Sequence, residues 1–161
     1  MKENKTIKIL WAIACTSSSV DQKTNTTSLF NILEQVQFTT ADASALVNGI
    51  VKEGTGVPFQ FDIVVLVARS SKSDLSRGMS LEAKVCLLDP DRKILMENKF
   101  PGLMEKNKRR LRFNLKFNGM PISRNGDYTF LVSVKEKDEK NFSEEVEIPL
   151  EVSLGIVSPG I

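Results

Sequence analysis

The sequence contains no histidine and only two cysteines in 161 residues. Histidine is the side chain that most often serves as general acid or base near neutral pH and as a transition-metal ligand. Its absence excludes Ser-His-Asp, Cys-His and zinc-histidine sites. Cys15 and Cys86 lack the Cys-x-x-Cys spacing of a metal knuckle or a dithiol redox motif. We expect buried free thiols; in an exported protein a disulfide across the core would be the alternative, which spacing alone does not establish.

Net charge is also small. Lys and Arg number 22 and Asp and Glu 20, which gives a formal charge of +2. The chain as a whole therefore carries no electrostatic argument for a polyanionic partner, and any such argument must be local. No apolar run approaches the length of a membrane span. We expect no membrane span and a cytoplasmic location.

The N-terminal stretch imitates a bacterial lipoprotein signal, because lysines and an apolar run precede Ala14 and Cys15. The uninterrupted apolar run, residues 9–14, is six residues long. A signal core usually has roughly 7 to 15. Ala12 also stands where such a signal usually has leucine. We expect a first strand here, and an exported lipoprotein-type binding domain is the alternative.

Alternation of apolar and polar side chains with a period of two is the dominant pattern, and it is typical of strands with one face in the core. No window of 12 or more residues has helical periodicity, and residues 41–50 read as a loop with at most one helical turn. Eight segments qualify as strands: residues 7–15, 28–38, 59–67, 80–87, 94–100, 109–117, 126–135 and 145–154.

Many short strands separated by turns, with no helices to pair with, predict an all-β fold. We expect a two-sheet antiparallel β-sandwich, immunoglobulin-like in outline, with about eight strands. It forms a single domain over residues 1–154, followed by a C-terminal tail, 155–161. Tyr128, two residues after Gly126, resembles the tyrosine that packs at the strand corner of immunoglobulin-like sandwiches.

Four positions carry finer structural expectations. Glu34 interrupts the alternation of the second segment, so we expect a β-bulge there. Pro149 removes a backbone donor, so its strand lies at an edge or changes sheet. Trp11, the lone tryptophan, is expected in the core. In the polar hairpin 19–28, Asn25 suits a left-handed conformation, and the Asp21 carboxylate is placed to accept hydrogen bonds from backbone N–H groups.

Asp89-Pro90-Asp91 is the stretch that most resembles chemistry. Asp followed by Pro is typical of a type I turn, since proline fixes φ and the carboxylate accepts backbone N–H bonds. A calcium loop needs more oxygen ligands and usually a glycine. A catalytic pair needs a pocket that raises one pKa. We interpret the stretch as a turn.

The basic run 105–116 is the best candidate for a binding surface. A solvated strand face explains it without a ligand, and the stacking aromatics of a nucleic-acid platform are missing, because Phe113 and Phe117 alternate to the buried side. The acidic run 135–151 has seven acids against three lysines. If the last strands form a meander, the two runs face each other on one sheet. The candidate anion or partner residues are Lys106, Lys108, Arg109, Arg110, Arg112 and Lys116.

Residues 9–38 resemble the opening of a family of small, functionally uncharacterised bacterial proteins. The family begins with an aliphatic strand ending in Cys, followed by a polar hairpin and a Ser-Leu-Phe strand. The resemblance implies a β-sandwich, favours Cys15 as a strand residue and supplies no activity. The matching residues are Trp11, Ala12, Cys15, Asp21, Thr24, Asn25, Ser28, Leu29 and Phe30.

No phosphate loop, nucleophile elbow or metal-ligand cluster is present in the sequence. We therefore expect a non-catalytic binding or structural module with no cofactor, no metal and no catalytic residues. An unknown protein partner and self-association both remain open. Nucleic acid is not the expected partner; anion or nucleic-acid binding through residues 106–116 is the alternative. An enzyme would have to work through carboxylates in a pocket that sequence does not reveal.

Overall fold

The computed structural model of the protein describes residues 5–40, 46–47, 50–51, 56–70 and 74–156. The regular secondary structure of these residues is all strand. The strands in chain order are β1 (Ile7–Asp21), β2 (Thr26–Ile32), β3 (Gln35–Thr40), β4 (Leu46–Val47), β5 (Ile50–Val51), β6 (Gly56–Val57), β7 (Phe61–Arg69), β8 (Met79–Leu88), β9 (Ile94–Met104), β10 (Arg110–Phe117), β11 (Met120–Pro121), β12 (Gly126–Glu136) and β13 (Glu144–Ile156).

Nine of these strands form two sheets that pack face to face. The four-stranded sheet has the order β10-β7-β1-β2, and the five-stranded sheet has the order β3-β13-β12-β8-β9. All pairs within them are antiparallel except β13 with β3, which is parallel. The short strands form two further pairs, β4 with β5 and β6 with β11. The predicted all-β sandwich of antiparallel sheets is therefore confirmed, with this one parallel pair as the exception.

The core lies between the inner faces of the two sheets, where the period of two places every second side chain. The ring of Phe61 on β7 stacks on Phe117 of β10, with centroids 4.9 Å apart. The same ring lies 5.4 Å from Phe130 of β12 in the other sheet. All three rings are buried. The aromatic contacts thus join the two sheets at the middle of the sandwich.

The segment predicted as one strand with a bulge near Glu34 is two strands in different sheets. β2 pairs with β1 in the four-stranded sheet, and β3 pairs with β13 in the five-stranded sheet. The backbone N–H of Leu33 donates to Ala14 O at 2.8 Å, and Glu34 O accepts from the N–H of Glu151 at 3.0 Å. Two adjacent residues therefore bond to opposite sheets, and the bulge prediction is wrong because the chain changes sheet there.

Pro149 lies where β13 has a neighbour on one side. It is opposite Thr129 of β12, while the pairing with β3 begins only at Glu151. The first half of β13 is thus an edge and the second half is central. The missing N–H of Pro149 falls in the edge half, which agrees with the expectation for a proline in a strand.

Tyr128 forms the corner that its position predicted. The side chain is fully buried, and its hydroxyl donates to Arg124 O at 2.7 Å. The hydroxyl oxygen accepts from the N–H groups of Ser123 and Arg124, both at 3.0 Å. A tyrosine hydroxyl bonded to the backbone a few residues upstream is the tyrosine corner of immunoglobulin-like sandwiches.

Asp89-Pro90-Asp91 is a turn between β8 and β9, as interpreted from sequence. Asp89 Oδ1 accepts from the N–H of Asp91 at 2.9 Å and of Lys93 at 2.8 Å. Arg92 follows with a φ of 64°, the left-handed position that closes the hairpin. The Asp91 carboxylate pairs with the guanidinium of Arg124. The carboxylates therefore shape the turn and attach its tip to the tyrosine corner.

Two other expectations meet the described residues only in part. Of the predicted loop 41–50, the described part consists of β4 and the first residue of β5 instead of a helical turn, and the remainder lies outside the described residues. β13 continues to Ile156, so two residues assigned to the tail belong to the last strand. Nowhere in the described ranges is there a helix long and apolar enough to cross a bilayer.

Candidate anion-binding surface

The predicted basic strand is β10, at one edge of the four-stranded sheet. Its apolar residues turn inward, and Phe113 and Leu115 are buried in the core. Arg110 and Arg112 lie on the opposite, outer face, where they are paired in register with Ala68 and with Leu66 of β7. Alternation alone therefore predicted correctly which side of the strand is basic.

The acidic run does not share a sheet with this strand. Glu145, Glu147 and Glu151 lie on β13 of the five-stranded sheet, whereas β10 belongs to the four-stranded sheet. The condition that the last strands form a meander is not met, because β10 pairs with β7 instead of with β12. Glu147 instead pairs with Arg92, with 2.6 Å between the charged atoms. The acidic strand therefore does not neutralise the basic one.

The end of β1 and the tip of its hairpin with β2 lie on the outer face of β7 and β10. The Ser18 hydroxyl is 2.8 Å from a carboxylate oxygen of Asp62 on β7 and 3.0 Å from Asn114 Oδ1 on β10. The Arg112 guanidinium donates to Asn25 at the hairpin tip, to Oδ1 at 3.3 Å and to the backbone oxygen at 3.2 Å. The hairpin tip is thereby held beside the basic strand.

The conformation of the tip follows from its own sequence. Asn25 has a φ of 54°, the left-handed conformation expected for it. Asp21 Oδ1 accepts from the N–H of Lys23 at 2.8 Å and of Thr24 at 3.2 Å. These backbone donors hold the pKa of the Asp21 carboxyl below its ordinary value. The aspartate therefore acts as the turn residue that was expected at this place.

A cleft of about 530 Å³ opens between the hairpin tip, β10 and the turn that precedes β10. Three of the six predicted basic residues line it. The rest of the lining consists of a polar residue of the hairpin tip, apolar residues of β7, β9 and β10, and one acidic residue. The lining residues are Asn25, Leu66, Leu103, Met104, Glu105, Lys108, Arg110, Leu111 and Arg112.

The cleft has a positive excess of charge. Lys108 and Arg110 make no ion pair within the described part of the chain, and Glu105 is the one acid in the lining. The Nε–H of Arg112 is buried and has no acceptor among the described residues. Buried donors of this kind are normally satisfied by an acceptor on the protein, on water or on a ligand. Arginine and lysine at one cleft favour a phosphate or carboxylate ligand.

The other three predicted residues do not line the cleft. Lys106 and Arg109 are exposed on the turn between β9 and β10, next to it in sequence. Lys116 lies at the far end of β10, where its Nζ is 3.5 Å from the Asp62 carboxylate. Asp62 is 5% exposed, so Lys116 partly serves to balance a buried charge. The basic run therefore divides into a cleft group, a turn group and a charge-balancing residue.

Trp11 is not in the core, which corrects the expectation from sequence. The register of β1 with β7 shifts between Ile9 and Trp11, and this bulge places Trp11 opposite Leu66 on the outer face. The indole is partly exposed. An aromatic side chain therefore shares the outer face with Arg112, which is the register neighbour of Leu66 on its other side. Phe113 and Phe117 of the basic strand are buried, as expected, so the aromatic on this face comes from β1.

Cys15 and Cys86 are both free and buried, as expected. Register places Cys15 beside Asp62 on the outer side of the four-stranded sheet, and Cys86 beside Glu97 on the outer side of the five-stranded sheet. They therefore do not approach each other across the core. Burial raises the pKa of both thiols above the ordinary value of 9.0, and the Asp62 and Glu97 carboxylates add to the effect.

We predict that both thiols are unreactive in the native protein. At about pH 8, modification by a disulfide reagent should be at least 100-fold slower, as an order of magnitude, than in guanidinium chloride, where both thiols react. Because the native thiols hold their protons more tightly than the unfolded chain does, their contribution to stability is present below pH 9.0 and is lost as the pH rises further. Fast labelling of either native thiol would contradict this.

Comparisons with known proteins identify no relative in sequence: no protein-family model and no curated protein matches the chain. One solved structure with a similar region is described as "The structure of a beta-glucuronidase from glycoside hydrolase family 2". The identity is 12%, the TM-score is 0.39, and the match covers 64% of this chain. This chain spans 11% of the length of that protein. A likeness this distant carries no argument about function. Within the described ranges, no group of three or more Cys, Asp or Glu side chains is arranged to hold a metal ion.

Proposed function

We propose that this protein is a non-catalytic binding module, and that its ligand is an anion carrying phosphate groups. The supporting observation is the cleft beside β10, in which Lys108, Arg110 and Arg112 face one acid. Guanidinium groups bind phosphate oxygens through two parallel hydrogen bonds, and lysine adds a point charge. The separation of the basic strand β10 and the acidic strand β13 into different sheets also supports this proposal.

The position of the cleft supports binding more than catalysis. The acid in its lining, Glu105, has no second carboxylate beside it in the lining. A carboxylate pair is one arrangement by which an enzyme without histidine performs acid–base chemistry. The remaining lining groups are cationic, amide or apolar. They can hold and neutralise an anion.

Asn25 at the hairpin tip and Trp11 on β1 both lie close to the site. Asn25 lines the cleft and is hydrogen-bonded to Arg112, so a ligand that bonds this arginine also meets the hairpin tip. Trp11 lies on the same outer face, where it is the cross-strand partner of Leu66 in the cleft lining. Bases of a nucleic acid would have this indole for stacking, whereas a small phosphorylated ligand would use the cleft alone.

The proposal is tested by titration, with Trp11, the lone tryptophan, as a fluorescent reporter. Inorganic tripolyphosphate and a short single-stranded oligonucleotide are added separately at several salt concentrations. We expect saturable binding that weakens steeply with salt, because each phosphate contact releases counterions. Binding of tripolyphosphate alone identifies a small phosphorylated ligand. Binding of both extends the site to a nucleic-acid backbone.

A matched pair of charge reversals gives the control. Lys108→Glu lies in the cleft, and Lys140→Glu lies on an exposed turn between β12 and β13. Each lowers the formal charge from +2 by two. We expect Lys108→Glu to weaken binding about tenfold and to reduce the salt slope by about one, and Lys140→Glu to change neither. No binding at low salt, or equal losses in both variants, refutes the anion site.

We propose that the protein is cytoplasmic and that it is of bacterial origin, as the family resemblance implies. Two buried free thiols suit a reducing compartment. In the lipoprotein alternative, cleavage before Cys15 would remove residues 7–14, which pair with β7 and contribute Ile7 and Ile9 to the core. Membrane fractionation of the wild type and of Cys15→Ala tests the two readings. A location that depends on Cys15 would favour the lipoprotein.

A further inference from the structure

The outer edge of β2 is the least protected sheet edge in the described part of the chain. Each of the two sheets ends in two edge strands, namely β10 and β2 in one and β3 and β9 in the other. The outer N–H and C=O groups of an edge strand are a template for another strand. Proteins discourage such pairing with charged residues, proline, or by covering the edge.

The edges β9 and β10 carry these protections. β10 has Arg110, Arg112 and Lys116, and β9 has Lys99 and Pro101. The two edges also lie against each other. A Cβ on Gly102 of β9 would be 2.5 Å from the ring of Phe113 on β10, so the backbone approaches this ring closely. That side of the sandwich is closed by its own contacts.

β3 is protected in a different way. Its apolar side chains Val36 and Phe38 pack on the core, while Gln35 and Gln37 are exposed. A strand that pairs with β3 would therefore find polar side chains on the open face and no apolar surface to bury.

β2 has none of these protections. Residues Thr26–Ile32 include no charged residue, no proline and no glycine. Phe30 is 50% exposed and Ile32 is 56% exposed. The two side chains are separated by Asn31, which has a left-handed φ of 50°. β2 combines an unpaired backbone edge with exposed apolar side chains, which together mark a site of strand addition.

We infer that β2 is the surface through which two copies of this chain pair. The two β2 strands run antiparallel across a twofold axis and join two four-stranded sheets into one of eight strands. A twofold interface requires that a surface complement itself, and an antiparallel edge does so through its backbone. Neutral β2 strands bring no like charges together at the axis, whereas β10 edges would.

A second copy fits this edge better than a foreign strand does. Selection among foreign sequences needs pockets or charges next to the edge, and β2 presents only hydroxyl, amide and apolar side chains. β2 and β10 are opposite ends of the sheet order, but β2 begins at Thr26, directly after Asn25 of the cleft lining.

The first test is the mass of the whole protein in solution, measured by light scattering and sedimentation over a range of micromolar concentrations. We expect a concentration-dependent dimer of twice the chain mass of 17.9 kDa. Hydrogen exchange should show that the amides of β2 gain protection as the dimer forms. A monomer at every concentration overturns the inference.

The second test is a charge swap at Phe30. Phe30→Lys and Phe30→Glu should each weaken the dimer by at least about 100-fold, because two like charges meet near the axis. A mixture of the two variants should dimerise again, since opposite charges then face each other. This rescue keeps the test informative even if one variant associates poorly for another reason. A mixture that remains monomeric overturns the pairing of β2 with β2.

Ile94→Lys is the matched control, because Ile94 is 54% exposed and lies on β9. We expect this variant to dimerise as the wild type does. If it dissociates the dimer, or if Phe30→Lys leaves the dimer intact, another surface joins the copies and the inference is wrong.

Discussion

Replacing Arg69 with methionine is expected to lower the free energy of unfolding by about 3 to 5 kcal/mol. Arg69 is 6% exposed at the end of β7. Its Nη1 donates to Asp74 O and Arg77 O, both at 2.8 Å, and its Nη2 donates to Glu105 O at 2.8 Å and to Met104 O at 3.2 Å. Methionine fills similar volume but leaves these four carbonyl groups without their donor, and each buried unsatisfied group is costly.

The position of Arg69 explains why the effect should be global. Its carbonyl partners come from the loop between β7 and β8 and from the end of β9 with the turn that follows it. One guanidinium therefore holds together two connections at the same end of the sandwich. The turn that it holds leads into the basic cleft, so the loss should also weaken anion binding.

Urea unfolding followed by Trp11 fluorescence measures the change, since the midpoint and slope give the free energy. Arg77→Met is the control, because Arg77 contributes its backbone oxygen to the cluster while its side chain is exposed. We expect a change within about 0.5 kcal/mol there. Arg69→Lys should lie between, since one ammonium cannot reach four carbonyls. A loss at Arg69→Met as small as the control contradicts the account.

Periodicity predicted the faces of the strands well and their partners poorly. It assigned Phe113 and Phe117 to the core and Arg112 to the outside, because these depend only on alternation within a strand. It did not reveal that β10 pairs with β7, because pairing depends on contacts far away in sequence. Turn chemistry was equally local, and the turn at Asp89 was therefore correct from sequence alone.

The two errors near the start of the chain have a common physical origin. Around Trp11 the sequence is apolar on both faces, so alternation does not indicate which side chains point to the core. A one-residue register shift places the indole on the outer face. At Glu34, a bulge and a change of sheet would both interrupt the alternation of apolar and polar residues in the same way. Only the hydrogen bonds of Leu33 and Glu34 with opposite sheets distinguish the two.

The candidate site shows the same division between local and distant information. The basic residues were found in sequence because they lie within one short segment, 106–116. The cleft was not, because Asn25 of a hairpin tip and Leu66 of β7 are remote from that segment along the chain. A hydrogen bond between Ser18 and Asp62 holds the hairpin against β7. Neither residue type predicts this contact from sequence. Arg69 was missed for a similar reason, since a charged residue at the end of an apolar strand is commonplace.

Replacing Gly126 with alanine is expected to cost about 3 kcal/mol, through two effects that act at one position. Gly126 has a φ of 141°, which side chains other than glycine rarely adopt. An added Cβ would also lie 2.7 Å from Cγ of Pro90. The ring of Pro90 is rigid and its turn is bound through Asp91 to Arg124, so it yields little.

A double substitution separates the two effects. Pro90→Ala with Gly126→Ala removes the clash but keeps the backbone strain, so the pair should cost less than the sum of the single changes by about 1 kcal/mol. Gly78→Ala is the control, because its Cβ would have its closest contacts at 3.7 Å. We expect it to be nearly neutral. Additive costs for the first pair would show that the tip of the β8–β9 hairpin is not packed on the tyrosine corner, and that Gly126 is needed for its backbone conformation alone.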